Sequence, residues 1–194
     1  MKNKNILITL FLFVVIAQLF VPSQMIYNQE DILNTGKIVK FQCEPIDPND
    51  PFRGKYITLR FKESGIKVSN SKGWNQNETV FAEIITSKEG FAKIKSLSKT
   101  EPKDNSIYLK LKISYITDYD NEKKIYLDLP FNRFYMNENK AKNAETVYAE
   151  STIDSTKIAY ALVATKNGEA VIKDVLIDNI SIKELAKANN NTNK

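Results

Sequence analysis

The chain of 194 residues contains no histidine. That absence removes Ser-His-Asp and Cys-His catalysis, histidine-ligated zinc and histidine pH switching. Enzymatic chemistry, if present, would fall to carboxylates, lysine, tyrosine, serine or one thiol. Cysteine occurs once, at Cys43, so no intramolecular disulfide is available. A lone cysteine on an alternating stretch reads as a small buried apolar side chain, and it stands too far beyond the N-terminal apolar run to be a lipoprotein's acylated residue. Blocks of five or six like charges are also missing. The net charge of +5 is spread over scattered lysines, which reads as a solvated surface and gives no reason to expect a nucleic-acid partner. Weak attraction to anionic lipid or a polyanionic envelope polymer is the functional alternative.

The hydrophobic content is 42%, typical of a globular core. A domain of about 160 residues buries roughly two-thirds of its unfolded surface and needs neither disulfide nor metal to fold; no cofactor is expected. Residues 1–5 carry Lys2 and Lys4, and 6–21 (ILITLFLFVVIAQLFV) are apolar apart from Thr9 and Gln18. Met25-Ile26-Tyr27 extends this run towards the length a membrane span requires. The expectation is a transmembrane anchor at 6–27, with the basic 1–5 in the cytoplasm and everything after Glu30 and Asp31 outside. A cleaved signal peptide, cut near Val21 and Ser23, is the competing reading. The anchor is favoured because residues 24–27 continue the apolar run past that point.

Residues 28–36 read as a helical connector closed by Gly36 in the left-handed position. From Lys37 the period changes to two, opening a β-rich domain expected at 37–187, before a disordered tail at 188–194. Ile38, Lys40 and Gln42 alternate with Val39, Phe41 and Cys43. Between Glu44 and Gly54 stand Pro45, Pro48 and Pro51, with Asp47 and Asp50 between them. Each proline fixes its own φ and biases the residue before it towards extended conformations, so this is a stiff loop. It enters a strand at Tyr56–Phe61 with Ile57, Leu59 and Phe61 on the core face. Hairpins are expected at 79–97 about Ser87–Gly90 and at 158–177 about Lys166–Glu169. Ile107–Thr117 should be the longest strand, with Ile107, Leu109, Leu111, Ile113 and Tyr115 facing the core, and should pair with Lys124–Leu129. One short helix is expected over Glu138–Glu150 with Asn137 as its N-cap, and a helical turn at 181–188. The fold class is α+β, mainly antiparallel β, behind an N-terminal transmembrane helix.

Catalytic spacing is cheap in such a chain. Serine precedes lysine by three at Ser64/Lys67, Ser69/Lys72 and Ser96/Lys99, without the companion motifs of a serine-lysine enzyme. Asp118–Leu129 starts like a calcium loop, but its sixth position is Lys123 and its twelfth Leu129; no metal site is expected. Asp47 and Asp50, with Glu138 and Glu145, are the carboxylates that could pair for acid–base work, although the aspartates equally suit hydrogen bonding to their own loop. Arg53 and Lys55 beside Gly54 could hold an anion.

With these residues in view, the chain resembles the GDYxxLxY family of bacterial membrane-anchored proteins. The namesake octet falls on Gly54-Lys55-Tyr56-Ile57-Thr58-Leu59-Arg60-Phe61, with Lys55 in place of the named Asp and Phe61 in place of the last Tyr. Lys55 removes the octet's one acid. The resemblance extends through Asn132–Glu138 and Gly168 to Asp174. It implies a single-pass protein whose domain lies outside the cytoplasmic membrane, sometimes encoded beside a multi-pass membrane protein, and it implies no substrate. Three readings follow. The favoured one is an interaction or accessory module, with the bilayer and a multi-pass membrane protein as partners and a candidate surface of Asp47, Asp50, Arg53, Lys55, Tyr56, Arg133, Tyr135 and Glu138. The others are an envelope hydrolase using carboxylates or lysine, and a purely structural domain.

Overall fold

The computed structural model describes residues 2–45, 56–70, 72–103, 105–119, 122–153 and 156–192. Helix α1 (Lys2–Thr35) is continuous through Pro22. The expected anchor and connector are therefore one helix. Its apolar face finds no cover in the domain: from Lys4 to Glu30 every residue is exposed except half-buried Val15, and Ile32 is the first to be buried. It is long and apolar enough to cross a membrane. The glycine after it differs from expectation, for Gly36 does not adopt positive φ. What requires glycine is close approach, since a Cβ there would stand 2.5 Å from the Ile32 carbonyl oxygen and 3.0 Å from that of Thr165.

The domain then runs β1 (Lys37–Glu44), β2 (Tyr56–Thr58), β3 (Arg60–Phe61), β4 (Gly65–Lys67), β5 (Thr79–Thr86), β6 (Ala92–Ser98), β7 (Ile107–Tyr119), β8 (Glu122–Asp128), β9 (Arg133–Tyr135), α2 (Glu138–Ile153), β10 (Ala159–Lys166), β11 (Glu169–Ile177), β12 (Ile180–Ser181) and α3 (Ile182–Thr192). One five-stranded sheet has the order β12-β11-β10-β1-β3, another β4-β8-β7-β5-β6, and β2 pairs with β9 alone. All these strand pairings are antiparallel. The architecture is α+β with a β-rich domain. Helix α2 lies between β9 and β10 where a helix was expected, but the expected turn at 181–188 is a full helix: α3 reaches Thr192, and its Ile182 and Ala186 join the core.

A single apolar cluster runs through both large sheets and takes in α2 and α3. One corner of it is aromatic: Phe41, Phe61 and Phe131 meet edge-on or tilted, with ring centroids 5.1–5.7 Å apart. The hairpins form where glycine punctuation placed them. Gly90 has φ 86° in the first, and Asn167-Gly168 turn at φ 51° and 80° in the second, the paired positive φ of a two-residue type I′ turn. The β7–β8 turn is tighter than expected, because Asp118 pairs with Lys123 and Tyr119 with Glu122.

Tyr115 contradicts the simple alternation. A bulge between Ile113 and Tyr115 shifts the register by one, and one extra residue carries every later side chain to the other face. Tyr115 is 47% exposed and stacks on Tyr126 at 4.3 Å, while Ile116 packs against the core in its place.

Candidate functional site

The octet is where the sheets meet. Ile57, Leu59 and Phe61 are buried as their alternation requires, each worth about 1.5–3 kcal/mol against exposure. The expected strand breaks at Leu59, however. Tyr56–Thr58 pairs with β9, whereas Arg60 and Phe61 pair with Glu44 and Cys43 of β1. Leu59 bridges the two, its N–H donating to the Asn132 carbonyl at 2.8 Å. The core half of the octet is a corner that ties the small sheet to a large one.

The other face of that corner carries the candidate surface. In the β2–β9 ladder Tyr56 lies opposite Tyr135, Ile57 opposite Phe134 and Thr58 opposite Arg133. Ile57 and Phe134 point inward and are buried; Tyr56, Thr58, Arg133 and Tyr135 share the outward face. The two tyrosine rings are 5.4 Å apart, and the Arg133 guanidinium lies over the Tyr56 ring at 5.0 Å, within cation–π range. Tyr135 is 63% exposed. Three of the eight sequence-predicted residues therefore come together. Asp47, Asp50, Arg53 and Lys55 lie outside the described residues. Glu138 opens α2.

Beside this face is a groove of about 260 Å³, lined by Gln29 of α1, residues of β9 and its approach, and Ala170–Ile172 of β11. Sequence reading missed Gln29, Thr58 and the β11 residues. The approach of α1 to β11 is a tertiary fact that no local pattern carries.

A sequence profile described as GDYXXLXY protein matches residues 18–175. The chain belongs to the GDYXXLXY family. Comparison with curated proteins and with solved structures returned no match. In this GDYXXLXY chain the named Leu and the position of the last Tyr are core residues, Leu59 and Phe61, whereas the first Tyr, Tyr56, lies on the surface face.

Two of the three serine-lysine pairs have members engaged elsewhere. Lys67 pairs with Glu122 at 2.6 Å, Lys99 with Glu78 at 2.5 Å, and the Ser96 hydroxyl donates to Glu83 at 2.9 Å. Glu78 and Glu122 are both held below the usual carboxylate range, each chiefly by the hydrogen bond from its lysine. The thiol of Cys43 is buried, and desolvation pushes it up to about 12, the behaviour of a packing residue rather than a nucleophile.

Proposed function

We infer that the chain is a membrane-tethered interaction module, an accessory subunit that presents the face of Tyr56, Thr58, Arg133 and Tyr135 to a membrane partner. The observation that carries this reading is the exposed Tyr–Arg–Tyr cluster in a ladder built from the octet and the 133–135 segment. Its groove is shared with the end of the membrane-directed helix. Arginine and tyrosine are the residue types that dominate binding surfaces, because they combine large contact area with directional polar groups. The long, exposed apolar α1 supports a membrane-spanning segment, and the continuation of its apolar run through residues 24–27 favours an uncleaved single-pass anchor. The basic flank at Lys2 and Lys4 favours an amino end in the cytoplasm and a domain outside the cytoplasmic membrane. A multi-pass membrane protein is the partner this topology suits.

The test is cross-linking and pull-down from the membrane fraction with wild type, Tyr56→Ala and Arg133→Ala. Recovery of a specific membrane partner should fall at least about fivefold in each variant, as loss of more than 1 kcal/mol at a central contact implies. Unchanged recovery from correctly inserted variants would remove this face from the account.

A further inference from the structure

Helix α1 measures the depth of the groove beside Tyr135, given the tethered reading above. With Tyr27 closing the membrane-spanning segment, Gln29 stands two residues farther along, about 3 Å of axial rise. The polar headgroup layer is about 5–8 Å thick on each face of a bilayer. The groove that Gln29 shares with β9 and β11 therefore opens within the headgroup layer. Its lining suits that depth, with Phe131, Val171 and Ile172 beside Arg133 and Tyr135. Tyr27 and Tyr135 are both well exposed, and this is the level at which tyrosine rings concentrate in membrane proteins.

Arg133 supplies the recognition chemistry. Its guanidinium rests on the Tyr56 ring, and among the described residues no carboxylate pairs with it. A planar cation fixed on an aromatic face, without a counter-ion among the described residues and beside apolar side chains, matches a phosphodiester joined to an acyl chain, since the guanidinium fork fits two phosphate oxygens. We propose that this groove binds the phosphate of an anionic phospholipid in the surrounding leaflet, with Arg133 on the phosphate oxygens and Tyr135 at the level of the lipid esters. Bound in this way, the lipid pins the small sheet against the bilayer and fixes the height at which the domain is presented.

The test uses the purified full chain in nanodiscs of phosphatidylcholine, with and without phosphatidylglycerol, containing a trace of photo-activatable phospholipid. Adducts are mapped by mass spectrometry for wild type, Arg133→Gln and, as a control at an exposed lysine beside Gly168, Lys110→Gln. Adducts on 130–136 should be enriched by phosphatidylglycerol and should fall about fivefold in Arg133→Gln, the loss expected for one basic residue at a charged surface. Lys110→Gln should match wild type. Equal labelling of 130–136 in wild type and Arg133→Gln would overturn the assignment, as would adducts on 6–27 with none on 130–136. In either case the tethered module would still stand, and a partner's segment would become the groove's occupant. Absence of adducts on 6–27 would overturn the tether and the lipid site together.

Discussion

Tyr148 shows how a residue can be well packed and poorly satisfied at once. Its ring is 2% exposed in the core, beside Cys43 and the backbone of Arg60, and its hydroxyl has no hydrogen-bond partner of ordinary geometry among the described residues. Desolvation pushes the phenol up from its ordinary value, and the neighbouring Cys43 adds to this. A buried hydroxyl without a partner carries its desolvation cost uncompensated. Tyr148→Phe should therefore leave denaturant stability unchanged or raise it by about 1–2 kcal/mol, whereas Tyr148→Ala should lower it by about 3–5 kcal/mol through cavity formation. A loss above about 1 kcal/mol in Tyr148→Phe would mean the hydroxyl is satisfied. Burial of Cys43 was legible in the sequence from its place in the alternation of β1. The state of Tyr148 was not, because it depends on which groups α2 meets across the core.

At the scale of elements, the junction between α1 and the sheet is held by a small polar set. The Lys166 ammonium donates to Asp31 at 2.7 Å and to the Thr35 hydroxyl at 2.8 Å. Hydrogen bonding from Lys166 holds the Asp31 carboxyl below its ordinary value, more than offsetting the desolvation that acts the other way. The folded value lies below the unfolded one. The contact therefore contributes above the unfolded aspartate range, about pH 4, and its contribution is lost as pH falls through the folded value. Hydrogen exchange at the Gly36 amide, which donates to the Ile32 carbonyl at 2.9 Å, reads the junction locally. After correction for intrinsic rates, its protection should fall on acidification below about pH 4 in wild type and should lack that step in Asp31→Asn. The same acid step in both proteins would assign it to another group. The strands of this chain were legible where period two met glycine turns, as in β5–β6 and β10–β11. They were not where a single inserted residue turned Tyr115 outward, nor where Leu59 passes from one sheet to another, since neither event changes the local alternation.

Over the whole molecule, the continuous α1, the Asp31–Lys166 junction and the β2–β9 corner place one exposed aromatic-cationic face next to the exit of the membrane-directed helix. The opposite reference lies near Thr35, where Asn105 is exposed, accepts a hydrogen bond from Lys37 at 3.0 Å and lines a second hollow with Thr35 and Asn167. Thr35 stands eight residues past Tyr27, about 12 Å along the axis, which in the tethered reading is beyond the headgroup layer. The buried Cys43 leaves an introduced surface cysteine as the reactive thiol. The most direct measurement is therefore the depth of a spin label in the reconstituted full chain, at Tyr135→Cys and at Asn105→Cys, read from relative accessibility to oxygen and to a water-soluble nickel complex. The label at 135 should report the headgroup layer and the label at 105 bulk water; bulk-water accessibility at both positions would contradict the account.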